Sequence, residues 1–514
     1  MPTYNTAAAL VWLQLLVFGC VLASNSKVDV RSLLTDKRHV WSANTTFTFP
    51  EDKTFEAVTQ RWTIYKPPTF EAVVRPATET DVVQCVRIAT EANLPFLATG
   101  ARHGYSTSHG TLQNGLEIDL SHFDSIDIGR NHGTMTIGGA TQFNDILDPV
   151  FAAGYEIPTG SCSCTGMVGA TNGAGVGRFN GIDGMIIDFL VSVRLVTASG
   201  EIVEASETEN PELFWGLRGA GANFGIITSA TYKLVPLRNN GEVTNVDIIL
   251  PPEMVAEYFE TLERYNASMP AELAGVSIIN YNPDTAAAQI LANWVYYGSE
   301  ADCRKALAPI LALNPPVVSF NVVPWNKLLA TVGFGIDPML CIKDIIRNIH
   351  SANVRNFSAA TWIATFEKMS KFYTEYPTAR LSVIQMETFP NQAAFAVPDE
   401  NTAYPWRDAT GNMIFIFAYT NATTQLAEAA NNMGREIRSD FVATSGYQDL
   451  AVYVNYAYGD ESLEQIYGER KLPRLAALKA KWDPENVFAY NNPLPTTYSG
   501  KDESASCSRG RDEL

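Results

Sequence analysis

The chain has 514 residues, 46% of them hydrophobic, enough apolar material to bury a large core and to form two domains, and this composition excludes a disordered chain. Its 37 Lys and Arg stand against 55 Asp and Glu, a formal charge of −18 with no basic run, which argues against nucleic acid or another polyanion as partner.

At the amino terminus residues 7–22 are apolar except at Gln14 and lead into the small residues Ala23 and Ser24. The stretch is short for a membrane span and suits a cleaved signal peptide over 1–23, although no Lys or Arg precedes it; no stable span is expected after cleavage. Sequons at Asn44, Asn266, Asn356 and Asn421 would then be glycosylated. The last four residues, Arg511 to Leu514, read RDEL, close to the address for retention in the endoplasmic reticulum, though a frayed charged tail can end the same way. The expectation is a glycoprotein of the secretory pathway, held in the endoplasmic reticulum lumen or secreted.

A strand over 73–75, a helix with Thr80 as N-cap and Val82, Val86 and Ala89 at helical spacing, and a strand over 95–98 make a βαβ unit. The second strand enters the tight loop TGARHG, in which Gly100 and Gly104 flank Arg102 and His103. Strands follow at 116–120 and 134–137, then a helix over 143–153 stopped by Gly154. The run PTGSCSCTGMVGATNGAGVGRFNG at 158–181 carries Gly166, Gly169, Gly173, Gly175 and Gly177, whose close backbone approach lets amides form an anion-binding nest. It contains neither GxGxxG nor GxxxxGK[ST], so an ordinary nicotinamide or nucleoside-triphosphate site is not expected. A hairpin over 189–197 and 201–205, a helix over 211–218 and a strand over 226–234 follow.

From about 239 to 446 helices (253–265, 301–313) alternate with strands (276–281, 290–297, 413–419). Trp294, Tyr296, Tyr297, Trp406, Phe415, Phe417 and Tyr419 lie on or beside the strands. Singly they suit a core; together they suit a wall over an apolar, ring-containing substrate. No CxxC pair recurs at metal spacing, and of six histidines only His103 is informatively placed, so no metal is expected. Cys303 and Cys341 are candidates for a bridge, with connectivity left open.

The two loops, with VVRPATETDVVQCVRIA at 73–89, FWGLRGAGANFGIITSATYKL at 214–234, YVNYAY at 453–458 and WDPENVFAYNN at 482–492, resemble the berberine bridge enzyme-like FAD-linked oxidoreductases. These belong to the vanillyl-alcohol oxidase and p-cresol methylhydroxylase (PCMH) flavoprotein superfamily, and the resemblance covers about 61–495. It implies an α+β, two-domain PCMH-type FAD-binding fold. The cofactor domain would span 61–238, with a return at 447–495; an antiparallel-sheet substrate domain would span 239–446, and 496–514 would be a tail.

The resemblance further implies FAD held by Thr99, Gly100, Ala101, Arg102, His103 and Gly104 in the first loop. In the second loop the matching positions are Gly160, Cys162, Thr165, Gly166, Gly169 and Gly173, and near the C terminus Asn455 and Asn491. His103 matches the histidine joined to the flavin 8α carbon, and Cys162 the cysteine joined at C6 in doubly linked members, with Cys164 competing. A neutral imidazole and a thiolate can each add to an electron-poor ring. Arg102 departs from the small residue usual before that histidine and would face a flavin phosphate or solvent. Thr165 stands where the family controls oxygen access, and its volume, close to that of valine, favours an oxidase.

Such chemistry needs a two-electron acceptor and a base. The family's base position reads Ala418 here, with Tyr419 beside it; Tyr456 and Asp183 are the other candidates. The expected activity is oxidation of a small apolar secondary metabolite, a polyketide or alkaloid, from alcohol to aldehyde or at a C–H bond, with O2 reduced to H2O2. The GSCSC run resembles fungal members of specialised metabolism, of which the solanapyrone synthase type adds an intramolecular [4+2] cyclisation. A carbohydrate oxidase and a redox-inactive flavin-binding protein are the alternatives.

Overall fold

A computed structural model describes residues 29–129 and 132–500. The signal segment, the RDEL end and Cys20 and Cys507 lie outside the described residues.

The first layer is a four-stranded sheet in which Phe70–Arg75, Gly115–Asp119 and Phe96–Thr99 run parallel, with Thr46–Thr48 antiparallel at the edge. Helix Glu79–Glu91 covers it and buries Val82, Val86 and Ala89. Its N-cap is Thr78 rather than the expected Thr80: the Thr78 hydroxyl accepts from Asp81 N while the Asp81 carboxylate accepts from Thr78 N, a closed capping box. A five-stranded antiparallel sheet follows in the order Ile126–Gly129, Thr134–Gly138, Ile226–Lys233, Leu190–Val196, Ile202–Ser206. The expected hairpin forms its edge.

A further sheet has seven antiparallel strands, ordered Val317–Pro324, Glu242–Leu250, Ala287–Tyr296, Leu273–Asn282, Val383–Thr388, Gly411–Tyr419 and Ile346–Val354. Because side chains alternate across a strand, each contributes one face to the helices and one to the cofactor half. Ile290, Ala292, Trp294, Ile384, Met386, Phe415 and Phe417 join the core beneath Val255–Asn266, Ala359–Glu375 and Thr424–Thr444. The opposite face carries Val276, Ile278, Leu291, Asn293, Gln385, Glu387, Ile414 and Ile416 into a cavity. Trp294, Tyr296, Tyr297, Trp406, Phe415, Phe417 and Tyr419 do not line it, and the substrate-side wall is aliphatic and polar; for Trp294, Tyr296, Phe415, Phe417 and Tyr419 the reason is strand parity, whereas Tyr297 and Trp406 lie outside the strands.

The expected helix 301–313 is two, Glu300–Ala306 and Ala308–Leu311, with Pro309 in the first turn of the second, where its missing N–H does no harm. Arg407 ties the halves together with a buried pair to Asp188 at 2.7 Å. Cys164 bridges to Cys341, not Cys303 to Cys341; Cys303 is buried and free. Among the described residues no helix is long and apolar enough to cross a membrane.

Candidate active site

The Phe96–Thr99 strand delivers the first loop to a cavity of about 400 Å³ that opens between the two glycine loops and the seven-stranded sheet. Thr99, Gly100, Ala101, Arg102, His103 and Gly104 all reach it. From the second loop Gly160, Cys162, Thr165, Gly166 and Gly169 line it, as do Asn455 and Asn491. Gly173 does not. A Cβ there would lie 2.4 Å from Asn455 Oδ1, so this glycine serves to let Asn455 in close.

His103 is half-buried and stacks on Trp62, ring centroids 4.3 Å apart, and its Nε2 lies 3.6 Å from Cys162 Sγ. Burial, reinforced by the Arg347 guanidinium over the same indole, pushes its pKa down to about 4, so the imidazole is neutral and nucleophilic at neutral pH. Burial likewise pushes the Cys162 thiol up to about 11. Cys162 Sγ is 3.3 Å from Cys164 Sγ, but Cys164 is committed to its bridge, which leaves Cys162 as the available thiol of the SCSC run.

Arg102 is turned away from the phosphate role. With a left-handed φ of 56° it points its guanidinium at Glu117 (2.6 Å) and Asp119 (3.1 Å), both fully buried. Arg61 is a cation with a donor to spare: it is buried at the cavity, donates to Gly104 O, and its Nη1 has no partner. Sequence reading missed it because nothing local marks a lone Arg in RWT.

Of the candidate bases, Tyr456 alone is at the cavity. Asp183 lies outside it, paired with Arg238, and Tyr419 is buried in the helix-facing core. Tyr456 donates its phenol hydrogen to Glu387, 3.0 and 3.2 Å from the two carboxylate oxygens. Burial pushes Glu387 up to about 7, with the Tyr456 hydrogen bond and Arg178 pulling the other way. Glu387 thus presents a carboxylate to the cavity, which Ala418 does not line. Its signal was the alternation in VIQMET, which places Gln385 and Glu387 together on the face opposite Ile384 and Met386.

The residues fit FAD. The cavity is continuous from the loops to the sheet, a buried cation with an unmet donor suits a diphosphate, and Gly100, whose Cβ would meet Gly139 O at 3.0 Å, leaves its backbone bare at the cavity.

The FAD binding domain family matches residues 70–206, and the family described as berberine and berberine like matches 452–495. The chain is 47% identical to the FAD-linked oxidoreductase srdI of Neurospora crassa over 91% of this chain and 93% of that one. It is 45% identical to the FAD-linked oxidoreductase fogF of Aspergillus ruber over 96% and 98%. Among solved structures it superposes on a chitooligosaccharide oxidase with TM-score 0.77 at 20% identity, covering 88% of this chain and 98% of that one. On the glucooligosaccharide oxidase of Acremonium strictum the TM-score is 0.77 at 22% identity, over 89% and 97%. A second structure of that enzyme is described as carrying a 6-S-cysteinyl, 8α-N1-histidyl FAD.

Proposed function

The chain belongs to the berberine and berberine-like family of FAD-linked oxidoreductases, and from that membership we propose an oxidase that takes a small apolar alcohol of secondary metabolism to its aldehyde. O2 is the terminal acceptor and H2O2 the by-product. The observation that carries this reading is the Tyr456–Glu387 pair on an aliphatic wall facing the two glycine loops.

Bound FAD supplies the two-electron acceptor. His103 and Cys162 would attach it, Arg61 would face its diphosphate, and Thr165 would control oxygen access. The division into a cofactor part, 61–238 with 447–495, and a substrate part, 239–446, belongs to this reading.

Tyr456 alone is a poor base, since burial and the neighbouring Glu387 raise its pKa well above the usual phenol range. Glu387, near 7, is half-ionised at neutral pH. The substrate hydroxyl proton therefore passes to Tyr456 Oη as the Tyr456 proton passes to Glu387, and no free phenolate accumulates.

The aliphatic side chains of Val276, Ile278, Leu291, Ile349, Ile414 and Ile416 favour an apolar substrate over a sugar, whose hydroxyls need convergent polar partners. A pocket walled in part by these aliphatic side chains also suits an intramolecular [4+2] cyclisation of the oxidised product. Exposed sequons at Asn44, Asn356 and Asn421 support a route through the secretory pathway. Peroxide release by the purified protein on aromatic and polyketide alcohols, against oligosaccharides, tests the reading. Turnover confined to the alcohols is expected; turnover confined to sugars would replace it with a carbohydrate oxidase.

A further inference from the structure

Arg178 is 5% exposed and lines the cavity. Its Nη2 donates to Asn293 Oδ1 at 2.6 Å, whereas Nε and Nη1 are buried with no partner. Asn293 is itself fixed, its amide nitrogen donating to Asn245 Oδ1 and Asp247 Oδ1, each at 2.6 Å. Asp247 also accepts from the backbone of Gly333 and Phe334. The guanidinium is thus held by one hydrogen bond on a braced strand, and among the described residues no carboxylate forms an ion pair with it.

A guanidinium carries five donors, and leaving charged donors buried and unmet costs several kcal/mol, roughly. Such a group is retained where a ligand completes it. We propose that Arg178, held in place by Asn293, forms an anchor for an acidic oxygen, a carboxylate or phenolate, on the substrate. The inference rests on the oxidase reading and narrows its substrate class.

Register gives the spacing. Asn293 pairs with Val276, and Val276 with Glu387, so the anchor and the proton relay lie on strands two apart in one row, about 10 Å between backbones. Val276 lies between them. That span suits a substrate with an apolar carbon skeleton, an acidic oxygen at Arg178 and the reacting hydroxyl at Tyr456. Nε and Nη1 face different edges of the guanidinium, so each offers its own directed, charged donor to an oxyanion, which a lysine ammonium does not. The same nitrogens could meet a carbonyl of the flavin ring, and the experiment separates the two.

Full-length holoprotein is titrated calorimetrically with benzoate and with benzamide, as wild type, Arg178→Met and Arg178→Lys. Wild type should bind benzoate at least about tenfold more tightly than benzamide. Arg178→Met should abolish that preference, Arg178→Lys should recover part of it, and flavin content should stay at the wild-type level. Equal binding of the two probes by wild type overturns the proposal and needs no variant. So does a benzoate preference that survives in Arg178→Met, above all if that variant shifts the flavin's affinity for sulfite, which would assign the guanidinium to the cofactor. Failure of the oxidase reading shows separately, as absent flavin or absent peroxide in the wild type.

Discussion

The Tyr456 phenol oxygen lies 3.0 Å from a carboxylate oxygen of Glu387, and burial raises the pKa of both groups. Glu387→Gln keeps shape and hydrogen bonding but removes the proton sink. The variant should retain its flavin and lose about a hundredfold or more in kcat. In the wild type the rate should rise with pH through about 7, where the carboxyl ionises, and this limb should vanish in the variant. Steady-state peroxide assays from pH 5 to 9 check both, at about one-unit intervals; an unchanged profile would remove Glu387 from the relay.

The same carboxyl links stability to pH. Its folded pKa of about 7 exceeds the ordinary 4.5, so the folded chain holds this proton more tightly than the unfolded one. The contribution is fully present below about 4.5 and is lost as pH rises through about 7. Thermal melts of Glu387→Gln should lose less Tm than wild type between those limits; parallel curves would contradict the assignment.

Gly173→Ala should displace Asn455, since the added methyl would sit 2.4 Å from its Oδ1. Asn455 holds Ala170 O and the Tyr453 hydroxyl, at 2.9 and 2.7 Å, and so braces the second loop against the C-terminal return. A loss of about 1–3 kcal/mol is expected from such overpacking, with reduced flavin content. The flavin-to-protein absorbance ratio and a melt measure it, and full flavin with an unchanged Tm would show that the backbone accommodates the methyl.

The Cys164–Cys341 bridge closes a loop with a sequence separation of 177 and ties the second glycine loop to the segment after Gly335. Cys341→Ser should cost about 2–5 kcal/mol. Wild type under reductant should melt at the variant's temperature, and the variant should not respond to reductant. A variant as stable as the oxidised wild type would mean the bridge does not restrain the unfolded chain.

Much of this was legible in the sequence where the signal was local. The TGARHG turn follows a strand whose end is fixed by its own pattern, the SCSC glycine run follows the helix that Gly154 stops, and Tyr456 comes with YVNY. Asp183 and Tyr419 failed as candidates because their partners, Arg238 and the helix-facing core, are set by tertiary packing. Glu387, Arg61 and Arg178 were missed for the complementary reason: each is a single charged residue in an unremarkable segment, given meaning only by the wall it faces. The aromatic strand residues were misassigned because periodicity says which side chains share a face and not which face meets the cofactor.

A flavin held by His103 and Cys162 at this cavity is tested by flavin retention after acid precipitation of wild type, His103→Ala, Cys162→Ala and the double variant. Flavin should be kept by wild type and by each single variant and released from the double. Flavin released from the wild type would contradict both attachments.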